Sequence, residues 1–301
     1  MKARLLVVGG GGFIGQKVVE RALIEGYKVT TLSPSGRGHP MVRKLAVSLN
    51  DKNSLLEVLQ NLDFEYVVNC SGYVNHSLFF NGGFDTYQTH HFGLVNLLQS
   101  INRKCLIRFI SIGSSDEYGD ICAPQDEASK EFPSSPYACA KLANTNLLRM
   151  VSSAEGFPST ILRIFLTYGP GQSDNRFIPQ IIRGCLSNAT FPVSAGEQLR
   201  DFCFIDDVIE AIFLSITSEA AIGEVFNVAS GEPIMIKEVV NRICNLVGSG
   251  KPSFGKIAYR PGENMKLYAD VSKIHRALKW HPKISLEKGL MKTINFIRNE
   301  R

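Results

Sequence analysis

Short apolar runs alternate with longer stretches whose apolar positions recur at helical spacing through the first half of the chain. Leu5 to Val8 is the first run and reads as a buried strand. From Gln16 onward, Val18, Val19, Ala22, Leu23 and Ile24 place apolar groups on one face of a helix. The same reading predicts strands at 28–32, 45–49, 65–70, 106–112 and 160–166. Between them lie helices at 53–62, at 84–102 and from Pro136 to about 153. That alternation predicts an α/β fold with right-handed crossovers and a doubly wound parallel sheet. Ligands then sit at the carboxyl ends of the strands. Beyond 166 the pattern loosens. Helices are predicted at 175–186, 206–217, 237–247 and 286–298, with strands at 191–196 and 224–228. No internal repeat and no low-complexity linker interrupts the chain.

Composition narrows the class. The chain has 301 residues, 44% hydrophobic and 20% charged, enough for one large α/β unit or two lobes. Its net charge is +5, but Lys and Arg are scattered, so nucleic acid is not an expected partner. No apolar run is long enough to span a bilayer, and Met1 leads almost directly into the first strand, so membrane attachment is not expected and the expected location is cytoplasmic. The seven cysteines show no Cys-x-x-Cys spacing, several lie in apolar runs, and buried thiols with no metal site are expected.

The first strand runs into the first helix through Gly9, Gly12 and Gly15. A strand–turn–helix with spaced glycines is a phosphate-binding turn. Gly9 permits the tight turn, Gly12 lets backbone N–H groups approach a pyrophosphate, and Gly15 lets helix and strand pack closely. Phe13 and Ile14 belong to the same expected cofactor site, as do Ser71 and Gly72 after the fourth strand. At the end of the second strand, where an acidic residue would hold the ribose of NAD, stand Ser33, Ser35 and Arg37. A hydroxyl and a guanidinium suit a 2′-phosphate, so NADP(H) is the expected cofactor, with NAD(H) the alternative.

Candidate chemistry follows the fifth strand. Ser114 lies at its end, and Tyr137 and Lys141 sit four apart on one helical face. Tyrosine ionises near pH 10, and a neighbouring ammonium favours the phenolate. Tyr137 is thus expected to exchange a proton with a carbonyl or hydroxyl oxygen that Ser114 also binds, while Lys141 holds the cofactor ribose.

In order along the chain come Gly9-Gly-Gly-Gly-Phe-Ile-Gly15, Ser114 four before Tyr118-Gly119, Tyr137-x-x-x-Lys141, Tyr168-Gly-Pro-Gly-Gln172, Arg200-Asp-Phe and Arg260-Pro-Gly262. Together they resemble the extended short-chain dehydrogenase/reductases, the nucleotide-sugar epimerase/dehydratase family. The resemblance covers nearly the whole chain. It implies a Rossmann lobe over 1–165 and 197–228, with a smaller C-terminal nucleotide-sugar lobe over 166–196 and 229–301. It further implies a homodimer through the helices near 84–102 and 137–153.

The resemblance also bears on the reaction. Hexose 4,6-dehydratases usually carry an Asp-Glu pair at the positions of Ser115 and Asp116, and Ser115 is no acid, although GDP-mannose dehydratases also carry Ser there, followed by Glu. The loop instead resembles that of GDP-4-keto-6-deoxymannose reductases. Asn175-Arg-Phe-Ile-Pro179 and Gly196-Glu-Gln-Leu-Arg-Asp201 resemble CDP-abequose synthase and related 4-ketoreductases. These similarities imply NADPH-dependent reduction of a nucleotide-linked 4-keto-6-deoxyhexose, with Ser114, Ser115, Asp116, Tyr137 and Lys141 as catalytic residues. Asn175, Arg176, Phe177, Arg200 and Arg260 are the expected substrate contacts. A 4-epimerase or a 4,6-dehydratase with retained NAD(P) is the alternative. Leu166 stands where many relatives have Asn, and no role is read for Asn69, His76 or His90.

Overall fold

The computed structural model describes residues 2–259 and 263–300. The chain opens with β1 (Arg4–Val8), α1 (Phe13–Ile24), β2 (Lys28–Leu32), β3 (Arg43–Leu45), α2 (Lys52–Leu59) and β4 (Tyr66–Asn69). It continues with α3 (Phe84–Ser100), β5 (Arg108–Ser114), α4 (Pro136–Glu155) and β6 (Ser159–Ile164). Next come β7 (Leu166–Tyr168), α5 (Phe177–Leu186), β8 (Thr190–Pro192), β9 (Leu199–Phe204), α6 (Ile205–Thr217) and β10 (Val225–Val228). The last elements are β11 (Pro233–Met235), α7 (Ile236–Val247), β12 (Lys251–Ser253), β13 (Lys266–Leu267), α8 (Ser272–Leu278) and α9 (Leu286–Asn299).

Seven strands form one parallel sheet in the order β3-β2-β1-β4-β5-β6-β10. The order reverses at β1, which has β2 on one side and β4 on the other. A crevice opens at such a reversal, beyond the carboxyl ends of the strands. Alternate residues of β1 feed opposite faces. Leu5 and Val7 join α1 and α6 in one core, while Leu6 and Val8 join α2 and α3 in the other. This is the expected doubly wound α/β fold with a smaller C-terminal lobe. β9 lies in the 197–228 stretch expected in the Rossmann lobe, but it is not in the seven-stranded sheet and pairs instead with β7, β11 and β13, while α7 and α9 pack on α5.

Two differences from the expected elements affect the site. The stretch predicted as one strand at 160–166 is two. β6 ends at Ile164, Phe165 turns inward against Tyr118, and β7 then pairs with β9 in the smaller lobe. β5 extends to Ser114, so that residue is the last of the strand rather than part of a loop. The third strand occupies Arg43–Leu45, because Leu45 is the residue paired with Leu32. Strands β11 to β13, each of two or three residues, are too short to show a period. Helix α8, of 7 residues, is likewise too short to show a period. It leads to Trp280, whose indole N–H donates to the Asp207 carbonyl at 3.0 Å. Among the cysteines, Cys185 and Cys203 are buried but Cys105, Cys122 and Cys139 are exposed, the last on the outer face of α4. No described helix is long and apolar enough to cross a membrane.

The glycine turn sets how closely α1 approaches β1. Gly9 has φ of +77°, a conformation that L side chains rarely adopt. A Cβ on Gly15 would lie 2.2 Å from the Gly9 carbonyl oxygen, so the first turn of α1 rests directly on the turn backbone. Gly15→Ala is expected to force these apart and to lower unfolding stability by about 2 kcal/mol. Urea titration checks this as a lower midpoint with unchanged slope.

Candidate active site

A cleft of about 740 Å³ opens over the carboxyl ends of β1, β4 and β5. Its floor is the start of α1, where Gly12 is the N-cap, with no side-chain cap and no acidic residue in the first turn. The first N–H groups of a helix lack intrahelical partners and carry the positive end of its dipole, which suits a diphosphate. Gly12, Phe13, Ile14, Gly15, Ser71 and Gly72 line the cleft. A Cβ on Gly12 would meet the Gly9 carbonyl oxygen at 3.3 Å, a tight contact with the turn backbone that the glycine avoids. This glycine cradle fits a dinucleotide. Gly9 lies beneath it, and Ser33 and Arg37 do not line it. Ser33 is buried and Arg37 points into solvent, with its amide donating to Ser35 Oγ at 3.3 Å.

The wall of the cleft is built from β5, the turn after it, and α4. Ser135 caps α4 by accepting from the Ala138 N–H at 3.2 Å, and Pro136 sits at the first helical position. Tyr137 therefore falls in the first turn and Lys141 one turn later. Both are buried and both line the cleft with Ser114, Ser115 and Asp116. The Ser114 hydroxyl accepts from the Asp116 N–H at 3.2 Å and also hydrogen-bonds the Tyr137 phenol. Lys141 Nζ donates to the Ile112 carbonyl at 2.7 Å.

These contacts change the expected electrostatics. Burial raises the Tyr137 phenol well above its ordinary value, and the charge of Asp116 raises it further, while the Ser114 hydrogen bond pulls it down. The expected lowering by Lys141 is not among these effects; its ammonium points to the Ile112 carbonyl. Burial pushes Lys141 itself down to about 8, against a smaller upward pull from Glu117.

Glu117, to which the sequence assigns no role, anchors the turn. It is fully buried. One carboxylate oxygen accepts from the Ser114 N–H at 2.8 Å. The other accepts from Thr145 Oγ1 on α4 at 2.7 Å and from Arg163 Nε on β6 at 2.8 Å. Arg163 also donates to Glu131 at 2.5 Å and lies over the Tyr118 ring. The sequence signal is a pair of consecutive acids, Asp116 and Glu117, one residue beyond a buried strand.

Two histidines also enter the cleft. His90 on α3 has Nε2 2.8 Å from the Tyr73 carbonyl, and its ring meets that of Tyr137 edge-on. Burial, reinforced by the Lys141 charge, pushes His90 down to about 3, so it is neutral. His76 Nε2 lies 3.7 Å from Asp116 Oδ2.

The opposite wall comes from the smaller lobe. Arg176 and Phe177 at the start of α5, Arg200 on β9 and Leu166 on β7 line the cleft. Arg200 is buried and ion-paired with Glu263. Asp201 faces away and accepts from the Ser230 and Gly231 N–H groups. Asn175 is exposed and outside the cleft, because α5 begins at Phe177 rather than at 175. Arg260 lies outside the described residues. Among the described residues, no group of three or more His, Cys, Asp or Glu is placed to hold a metal ion.

A family model described as the NAD dependent epimerase/dehydratase family matches residues 5–229. A dTDP-glucose 4,6-dehydratase of Haemophilus influenzae is 27% identical over 97% of this chain and 97% of its own. The structure of a UDP-glucose 4-epimerase of Thermotoga maritima is similar with a TM-score of 0.91 and 25% identity, covering 99% of both chains. DesIV of Streptomyces venezuelae, a dTDP-glucose 4,6-dehydratase solved with NAD bound, gives a TM-score of 0.88 and 25% identity over 99% of this chain and 98% of that one. These findings overturn two expectations. The relatives are dehydratases and an epimerase, not 4-ketoreductases, so NADPH-fed reduction of a 4-keto sugar does not stand. The relative with bound cofactor holds NAD, and Ser33 and Arg37 lie off the cleft, so the preference for NADP(H) does not stand either.

Lys141 generates a pH test. An unfolded lysine ionises near 10.4, above the value of about 8 that burial imposes here. Between those limits the unfolded chain binds more protons, so this group makes stability rise with pH. Urea midpoints are expected to show wild type gaining on Lys141→Met from pH 8 to about 10.4 and holding a constant difference below pH 7.

Proposed function

Because the chain belongs to the NAD dependent epimerase/dehydratase family, and is therefore an NAD(P)-dependent oxidoreductase, we propose that it dehydrates a nucleoside-diphosphate hexose to the 4-keto-6-deoxy sugar using retained NAD. The observation that carries this reading is Asp116. A carboxylate stands in the cleft close enough to raise the Tyr137 phenol by its charge. An epimerase needs only the phenol, whereas elimination of water next to a ketone needs a further proton carrier. Full-length similarity to a dTDP-glucose 4,6-dehydratase supports it.

In this reading the start of α1 binds the diphosphate of the dinucleotide, and Ser71 and Gly72 line its path. When bound, NAD supplies a hydride acceptor at the sugar carbon. Tyr137 takes the proton of the C4 hydroxyl, and Ser114 hydrogen-bonds the same oxygen and holds it in line. Once C4 is a ketone, the C5 proton is acidic, and Asp116 is the carboxylate placed to remove it. Arg176 and Arg200 neutralise the diphosphate of the substrate from the other wall. Burial of the tyrosine and lysine keeps water from competing for those protons.

The second reading is a 4-epimerase. Ser115, a hydroxyl at the position where dehydratases usually carry an acid, favours it, as does the likeness to the Thermotoga enzyme. We also infer a homodimer through α3 and α4, whose exposed Phe92 and Met150 leave apolar surface uncovered.

The product separates the two readings. Incubation with dTDP-glucose and UDP-glucose is expected to give a 4-keto-6-deoxy sugar, seen as absorbance in alkali and a mass loss of one water. The corresponding galactose nucleotide with no mass change would mark an epimerase. Tyr137→Phe is expected to lower turnover by about 10²- to 10⁴-fold while NAD remains bound after desalting.

A further inference from the structure

We propose that His76 is a catalytic residue which, paired with Asp116, moves the two protons of the elimination step. This rests on the dehydratase reading. Loss of water across C5–C6 needs one group to take the C5 proton and one to protonate the departing hydroxyl. The turn after β5 supplies one such group, Asp116. Its neighbour Ser115 is 4% exposed, and a serine hydroxyl does not exchange protons readily near neutrality.

The second group comes from a different segment. His76 lies between β4 and α3 and lines the same cleft. Its Nε2 is 3.7 Å from Asp116 Oδ2, and its side chain is 38% exposed, so solvent and a ligand in the cleft can both reach it. Its ring stands edge-on to Tyr137 at 6.0 Å between centroids, beside the phenol that addresses C4. The segment is held in place. Asn75 Oδ1 accepts from the Ser77 N–H at 3.0 Å, and Asn75 Nδ2 donates to Thr86 Oγ1 on α3 at 3.2 Å. His90 is unsuited to the task, since it is buried, neutral and bound to the Tyr73 backbone. Imidazole is the side chain that both gives and takes a proton near neutrality.

The step balances within the pair. Asp116 takes the C5 proton, the C5–H electrons form the C5–C6 double bond, and the C6–O bond breaks. The oxygen leaves as water with the proton of the His76 imidazolium. Asp116 is then protonated and His76 neutral. Asp116 returns its proton to C5 as the hydride taken from C4 comes back to C6, which gives the 4-keto-6-deoxy sugar, and the proton that Tyr137 took from the C4 hydroxyl replaces the one His76 gave to water.

The test uses the NAD-loaded enzyme with dTDP-glucose and UDP-glucose. For His76→Asn, 4-keto-6-deoxy product is expected to fall at least ~100-fold. Absorbance at 340 nm is expected to build up meanwhile, because C4 oxidation through Tyr137 continues. His76→Gln is measured beside it, with melting curves to confirm that both variants fold. Product formation within about threefold of wild type overturns the role of His76 and leaves the dehydratase reading standing. Lost product with no rise at 340 nm puts the defect before elimination and also overturns it. Wild type that forms no 4-keto-6-deoxy product from either sugar overturns the dehydratase reading itself, and the pair with it.

Discussion

A carboxylate shut away from water must find its positive charge and hydrogen-bond donors inside the protein, and Glu117 finds them on three separate elements. Its contacts to the Ser114 N–H, to Thr145 and to Arg163 join the end of β5, the middle of α4 and β6. Stripping one partner from such a pair costs about 3–5 kcal/mol, because the other charge stays buried. The turn carrying Ser114, Ser115 and Asp116 is thereby fixed relative to the helix carrying Tyr137 and Lys141. Residues from a strand end and a helix start then face one another with little freedom. That rigidity is what a proton-transfer site requires, since misplacement by an ångström is costly in rate.

The parts of the fold legible in the sequence are those with a local cause. Leu5 to Val8 alternates between two cores, and the glycines at 9 and 15 mark a place where helix and strand must touch. Both effects act within a few residues. The smaller lobe was harder to read, because β7, β9, β11 and β13 come from distant stretches and are held by pairing rather than by their own pattern. A hexapeptide such as 199–204 reads as a strand only once its partners are known.

The site divides in the same way. Ser114, Tyr137 and Lys141 could be placed because strand ends and helix starts could be placed. Asn175 could not, since it precedes by two residues the actual start of α5 and stands off the cleft. Ser33 and Arg37 suggested a phosphate because of their types, but type says nothing about direction, and neither side chain faces the cradle. His76 carried no signal, as its use depends on a segment folding back beside Asp116. The reaction was misread for a related reason. A serine, a tyrosine and a lysine serve reduction and oxidation at C4 alike, so those residues do not distinguish the reactions of the family. What distinguishes them is the set of groups standing around the trio.

Asp116 illustrates how that surrounding set works. Its charge, added to burial, holds the Tyr137 phenol in its protonated form, while Lys141 is engaged by the Ile112 carbonyl. A tyrosine in that state is a poor base. It becomes one only when positive charge arrives near it or the negative charge beside it is removed. In the proposed elimination Asp116 takes the C5 proton and so achieves the second. The carboxylate that opposes the phenolate also lies 3.7 Å from the His76 imidazole, so loss of its charge changes the surroundings of both rings at once.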